Sequence, residues 1–429
     1  MSEDCLNINV WAPAEAAGPR PVMVFLHGGA YVEGSGSMPD YEGTNLCLRG
    51  DLVVVTFNYR LGALGQMDFS SFNSGERIFE SNLGLRDQVA ALEWVRDNIA
   101  GFGGDPQRVT IFGESAGGNA ITTLLVTPAA KGLFSGAIAE SSHPTSAHNP
   151  ERKADHARQL LERLGIDSSN RRRAAEALYH LPSDELVRVG SALQDDVAGR
   201  EPGVLVMSPT MDGDYLPQYP LDAFRDGNSH PVALLIGTNR DESTLFRTLS
   251  MPILPTSRAS VERMLEQTDP DAMERVFAAY PHPHTARTWL DASTDGIFRV
   301  PAIEVASFHA RGNPVWMYRF DWASVMLRLI GLRATHAAEL PFVFGNFAVG
   351  SGRLFTLLMR FSTRKRVHKR IASHWLTFAH RGDPATARMP WPAYEAGRRQ
   401  TMIFAPQTRV EEDPQSLERI GWTGVARHH

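Results

Sequence analysis

Apolar residues in this chain fall into short consecutive runs separated by longer stretches of helical period. The runs lie at 6–11, 22–26, 52–58, 109–112, Gly136–Glu140, 232–237, Val315–Phe320 and Gln400–Phe404. Several are apolar at successive positions, as in Val-Met-Val-Phe-Leu at 22–26. A strand covered on one face alternates apolar with polar, whereas one covered on both faces need not, so these runs predict buried strands. Between them, 85–99 places Leu85, Val89, Leu92, Val95 and Ile99 on one helical face, 119–125 follows a strand directly, and 367–379 is amphipathic. Strands alternating with helices predict an α/β fold, a mostly parallel central sheet flanked by helices. Two stretches break the rhythm. Residues 149–197 are polar, Arg-rich and without a strand signal, and 251–302 are similar with several prolines. Both read as helical insertions over the sheet, leaving 1–429 as a single domain with no internal repeat or low-complexity linker.

Composition removes whole classes of function. With 43% hydrophobic and 21% charged residues the chain has ample material for a packed core. A net charge of −5 without long runs of one sign gives nothing that draws it to nucleic acid or to an anionic membrane. Arg171-Arg172-Arg173 and Arg364-Lys365-Arg366 read as solvated helix faces. No apolar stretch approaches the ~20 residues of a membrane span, and Met1-Ser2-Glu3-Asp4 leads straight into a strand pattern rather than a signal peptide. The expectation is a cytoplasmic protein, monomer or homodimer, without stable membrane insertion. Cys5 and Cys47 are the two cysteines; they read as buried thiols, with neither a disulfide framework nor metal-ligand spacing.

The chemistry concentrates in a few places. Val109-Thr-Ile-Phe-Gly113-Glu-Ser115-Ala-Gly117-Gly-Asn119 joins a β-rich run to a helix through Gly-x-Ser-x-Gly. A serine at a sharp strand-to-helix turn projects its hydroxyl into the open, and glycines on either side let strand and helix approach closely. The helix that follows offers its first N–H groups to developing negative charge. His27-Gly-Gly-Ala-Tyr31 ends another strand with a turn that can aim backbone N–H groups at one point; Gly29 and Ala30, with Ala116 after the serine, are the candidates for an oxyanion hole. His27 reads as a brace for that loop. A serine hydroxyl needs a base, and the base a third group to orient it. Asp241-Glu242 at a strand end offers two carboxylates, and His336, on a loop shortly after Val315–Phe320, is the favoured histidine. Met326, Leu327, Leu329, Ile330 and Leu332 fit an acyl pocket or plain helix packing equally well. No metal or cofactor is needed for this chemistry.

The ordered set of motifs resembles the type-B carboxylesterase/cholinesterase family, especially its bacterial p-nitrobenzyl-esterase-like members, nearly end to end. It comprises Ser2-Glu-Asp-Cys-Leu-Asn-Ile-Asn-Val10, His27-Gly-Gly-Ala-Tyr31, Asn58-Tyr-Arg-Leu-Gly62, Asn82-Leu-Gly-Leu-Arg-Asp-Gln88, Phe102-Gly-Gly-Asp-Pro106, Phe112-Gly-Glu-Ser-Ala-Gly117, Asp241-Glu242, and His336 through Gly345. The resemblance implies an α/β-hydrolase fold and a serine carboxylesterase working through an acyl-enzyme on small-molecule esters. It implies Ser115 as nucleophile, His336 as base, Glu242 rather than Asp241 as acid, and Gly29, Ala30 and Ala116 as oxyanion donors. It also implies a structural ion pair between Arg60 and Asp87, and Glu114 as a buried support of the turn. Relatives carry several dozen residues before the Ser-Glu-Asp-Cys motif, which here begins at residue 2. In relatives the motif's Glu pairs with an arginine in that segment and, in animal members, its Cys forms a disulfide there, so the resemblance implies an unpaired Glu3 and a free Cys5, with either an upstream start or a shortened esterase with a more open cleft. The rival expectation is a non-catalytic or inactive truncated cholinesterase-like binding protein. For an unperturbed histidine base, activity is expected to fall near pH ~6–7.

Overall fold

The structure, a computed structural model, describes residues 2–14 and 18–427. Its described residues form one nine-stranded sheet: β1 (Ile8–Trp11), β2 (Arg20–Leu26), β3 (Val53–Phe57), β4 (Gly104–Glu114), β5 (Gly136–Glu140), β6 (Ala233–Asn239), β7 (Val315–Phe320), β8 (Gln400–Phe404) and β9 (Arg409–Glu412). The spatial order is β1-β3-β2-β4-β5-β6-β7-β8-β9. The seven inner strands run parallel, and only β1 and β9, at the edges, pair antiparallel. This is the α/β-hydrolase architecture.

The consecutive apolar runs follow from a core on each face. Along β2, Val22, Val24 and Leu26 enter one core while Met23 and Phe25 enter the other. In β3, Val53 and Val55 face the first and Val54 the second. Each strand keeps the period of two, but both phases are buried, so the sequence shows no alternation. β9 has no counterpart among the predicted runs, because Arg-Val-Glu-Glu is a largely exposed edge strand with no apolar run to announce it. β4 starts five residues earlier than its apolar core at 109, through a polar segment that pairs Gly104 with Arg20 across an irregular register.

The expected helices are present as Leu83–Asn98, Ala116–Leu124 and Phe361–Arg381. The first insertion contains Pro150–Arg163, Arg171–His180 and Ser183–Arg200. Asn149 starts it by accepting a hydrogen bond from the Arg152 amide, with Pro150 at the first helical position. Arg171, Arg172 and Arg173 are solvent-exposed there. The second insertion contains Arg258–Thr268, Met273–Ala278 and Ala286–Thr294, then a π-helical turn, Asp295–Arg299, that runs into Val300–His309. It brings a third core of its own, including Phe246, Val261, Leu265, Trp289, Phe298 and Trp422. No helix of the described residues is long and apolar enough to cross a membrane. Both cysteines are free thiols; Cys47 is buried as expected, but Cys5 is only half-buried, because the first residues lie along the rim of the sheet.

The Arg60–Asp87 pair tethers the loop after β3 to the helix Leu83–Asn98. Arg60 Nε and Nη2 each donate to a carboxylate oxygen at 2.7 Å, and the Arg60 amide donates to the same group at 2.9 Å. Asp87 is buried and Arg60 about one-third exposed. Asp87→Ala should therefore cost about 2 kcal/mol, less than a fully buried pair, because water still reaches the guanidinium. A lowered urea midpoint at unchanged m-value would show it.

Candidate active site

β4 ends in a reversal that places Ser115 at φ 61°, ψ −122°, a conformation costly for any residue with a side chain. Close packing holds it there. A Cβ at position 117 would lie 2.0 Å from the Leu26 carbonyl oxygen, one at 118 would lie 2.3 Å from that of Glu140, and one at 113 would lie 2.7 Å from Gly117. The Ser115 amide donates to the Glu140 carbonyl at 3.0 Å. Ser115 thus stands at the carboxyl end of the sheet, and Ala116 opens the helix Ala116–Leu124, where the first N–H groups have no partner within the helix.

The glycine-rich loop after β2 presses on this turn. A Cβ at Gly28 would meet Ser115 Cβ at 2.9 Å and the Glu114 carbonyl at 2.7 Å. Gly29, Ala30 and Tyr31 follow with φ of 111°, 52° and 61°, a run of positive values that turns the backbone tightly in front of the serine. His27 is its brace, as expected. Its Nδ1–H donates to the Gly28 carbonyl at 2.8 Å, and its ring stacks on Tyr59 at 4.5 Å. Burial pulls its pKa down to about 4, only partly offset by the Gly28 bond, so it is neutral. Tyr59 in turn donates its hydroxyl to the His27 carbonyl at 2.6 Å.

His336 and Glu242 meet although they lie on separate loops. His336 Nδ1 is 2.6 Å from Glu242 Oε2. The other oxygen of Glu242 accepts from the Ser141 hydroxyl and from the Asn239 amide, both at 2.6 Å, so the buried carboxylate is fully engaged. Asp241 turns the opposite way, into an ion pair with Arg287 and a hydrogen bond from the Ala334 amide at 3.1 Å. The neighbouring side chains diverge, and only Glu242 reaches the histidine. Among the described residues His336 Nε2 forms no hydrogen bond, to Ser115 or to any other group, and its nearest carboxylate oxygen is Glu114 Oε1 at 3.1 Å. Without substrate, such contacts are commonly looser than in the working complex.

Three features at this site were not foreseen from the sequence. The Phe246 and Phe298 rings lie 5.0 Å and 5.2 Å from the imidazole, the latter delivered by the π-helical turn. Ser141, at φ 49° just after β5, fixes the outer oxygen of Glu242. Glu114 supports the turn but also faces His336. Burial would lower the imidazole pKa; Glu114, Glu242 and the Glu242 hydrogen bond outweigh it and raise the pKa above the ordinary value. Glu114 itself is pushed up to about 7, chiefly by burial and against the pull of His336. The one signal in the sequence was a carboxylate and a serine ending the apolar run at Gly136–Glu140. The candidate acyl stripe resolves into packing: Leu327 and Leu332 are buried in the core beside Phe361–Arg381, while Leu329 and Ile330 are exposed. His143, whose ring lies 6.2 Å from that of Phe298, instead lines a narrow cleft with Ser146, Leu205, Met264, Ile297 and Trp422.

Residues 1–419 match the family model described as Carboxylesterase family. The chain belongs to the carboxylesterase family. It is 40% identical over 422 residues to the para-nitrobenzyl esterase of Bacillus subtilis (strain 168), spanning 98% of this chain and 82% of that relative. It is 33% identical to a human cocaine esterase, over 92% of this chain and 70% of the relative. A solved PNB esterase structure superposes with a TM-score of 0.87 at 40% identity, covering 98% of this chain and 84% of the other. A Geobacillus stearothermophilus carboxylesterase superposes with a TM-score of 0.84 at 36% identity, over 98% and 86%. This carboxylesterase is accordingly a carboxylic ester hydrolase of the α/β-hydrolase fold.

Because Gly28 has no room for a Cβ, Gly28→Ala should push the loop away from Ser115 and slow p-nitrophenyl acetate hydrolysis by roughly 10²-fold, the scale of an ångström misplacement. Circular dichroism should remain that of the parent.

Proposed function

We propose that this carboxylesterase hydrolyses its esters through an acyl-enzyme formed on Ser115. The observation that carries the reading is the buried 2.6 Å contact between His336 Nδ1 and Glu242, with Ser115 held in a strained turn at the same end of the sheet. Glu242 holds the imidazole with Nδ1–H donated to its own buried carboxylate, which leaves Nε2 as the basic nitrogen. Nε2 takes the Ser115 proton as Oγ bonds to the ester carbonyl carbon, then gives it to the departing alcohol. Water repeats the sequence on the acyl-enzyme and releases the acid. The N–H groups of Gly29, Ala30 and Ala116 receive the oxyanion. Phe246 and Phe298 exclude water from the imidazole, which strengthens its interaction with the carboxylates. The similarity to a para-nitrobenzyl esterase points to benzyl esters as the first substrates to try.

Ser115→Ala should lower kcat by roughly 10³-fold or more, because removing the nucleophile leaves only binding and oxyanion contacts. An organophosphate should label the parent at Ser115 and leave this variant unlabelled. Near-parental turnover by the variant would refute the assignment.

The pH dependence follows from the two carboxylates beside His336. The base acts only when neutral, and the raised imidazole pKa means that the proton leaves at higher pH. The acid limb of kcat/KM should therefore lie above the ordinary imidazole value of about 6.5, not around pH ~6–7 as for an unperturbed histidine. A limb at or below that value would show that the carboxylates do not act on the base.

A further inference from the structure

The face of the sheet covered by Phe361–Arg381 changes character in one step along the strands. Phe112, Ile138, Leu235 and Trp316 are register partners across β4, β5, β6 and β7, and all four belong to one apolar core. Two residues on, the next row of the same face reads Glu114, Glu140, Gly237 and Tyr318. The row lies directly behind Ser115 and is buried throughout.

Its members lean together. A Cβ at Gly237 would lie 2.3 Å from Tyr318 Cδ1, so the tyrosine ring occupies the space over the glycine, beside Glu140. Trp375, from the covering helix, packs its ring 5.1 Å from Tyr318 and donates its indole N–H to Glu140 Oε1 at 2.7 Å. Glu339, three residues after His336, closes the other side and accepts from Asn239 Nδ2. Among the described residues four buried atoms are then left without a hydrogen-bond partner: Glu140 Oε2, Glu339 Oε1, the Tyr318 hydroxyl and Glu114 Oε1, the last of which faces His336 Nε2 at 3.1 Å. Four orphans in one polar layer are too many for a well-packed interior unless buried water joins them.

Charge counting says what such a network must do. The groups that act on this layer are Glu114, Glu140, Glu242, Glu339, Tyr318, Tyr41 and His336, with no lysine or arginine among them. Four carboxylates cannot all ionise in one buried layer that holds a single imidazole. Burial pushes Glu140 up to about 8, and burial together with Glu114, Glu140 and Glu242 pushes Glu339 up as well. At neutral pH Glu140 keeps its proton and acts as a donor, as does Tyr318.

We propose that Tyr318 and Glu140 are positioning residues that, through buried water, donate hydrogen bonds to Glu114 and so set the pH at which His336 becomes a free base. The donors favour an ionised Glu114, and an ionised Glu114 facing Nε2 favours imidazolium. Removing a donor lets Glu114 keep its proton to higher pH, and His336 then loses its proton at lower pH. This inference rests on His336 being the base.

The test uses two nearly isosteric variants of the full chain and two readouts, the acid limb of kcat/KM and the titration of the His336 ring followed by NMR. Tyr318→Phe, which deletes one hydroxyl, should move both downward by about half a pH unit or more. Glu140→Gln keeps a neutral donor in place of a protonated acid and should leave both within about 0.2 unit of the parent. A Tyr318→Phe variant whose melting temperature falls while both readouts stay fixed would reduce the tyrosine to packing and overturn the proposal. A Glu140→Gln variant that shifts as far as Tyr318→Phe would overturn it too, by showing that Glu140 is ionised. If Ser115→Ala keeps activity, the fault lies instead in the reading of the site, and the NMR titration still judges the network.

Discussion

The reversal at Ser115 is possible only because backbone replaces side chain on every side of it. Leu26 and Glu140 offer their carbonyls where residues 117 and 118 would carry a Cβ, and Gly28 lies against the serine itself. A positive φ at a residue with a side chain costs of order 1–3 kcal/mol, and it persists where the surroundings leave no alternative. Much else follows from that turn. It fixes the height of Glu114, the direction of the helix Ala116–Leu124 and the position of the glycine-rich loop.

The second constraint is the placing of charge in a dry interior. The sheet runs apolar for most of its length and turns polar at its carboxyl end, where Glu114 and Glu242 face one imidazole and Glu140 and Glu339 lie in the same buried layer. An isolated carboxylate there would be expensive. Glu242 offsets its burial with Ser141, Asn239 and His336, and Asp241 with Arg287. Burial raises Glu140, to about 8, and Glu339 as well, whereas Glu114 faces His336. The same low dielectric makes each contact to His336 count for more than it would in water.

The second insertion reaches the candidate site as well as covering the sheet. The strandless stretch at 251–302 builds a core of its own, and its π-helical turn sets Phe298 against the imidazole. The inserted helices therefore shape the walls beside residues from the carboxyl ends of strands and, for His336, from the loop beyond β7.

Much of this was legible in the sequence. Eight of the nine strands are apolar runs because two cores bury both phases of the alternation, and Gly-x-Ser-x-Gly after such a run marks the turn. The glycine-rich loop follows from its own residue types, His336 is a favourite on its position, and Glu242 and the Arg60–Asp87 pair rest on the family resemblance. Distant contacts were not legible. Nothing local distinguishes Glu242 from Asp241; the choice is made by Arg287 and Ala334, which draw Asp241 away. Nothing local shows that the end of β5 supplies Ser141 to Glu242, or that Tyr318, three strands from Glu114, lies over Gly237 in the same polar layer. Sequence determines which residues can form a strand or a sharp turn, because that is decided within a few bonds. Charge state, side-chain direction and the walls of the cleft depend on groups far apart in the chain, and only packing brings those together.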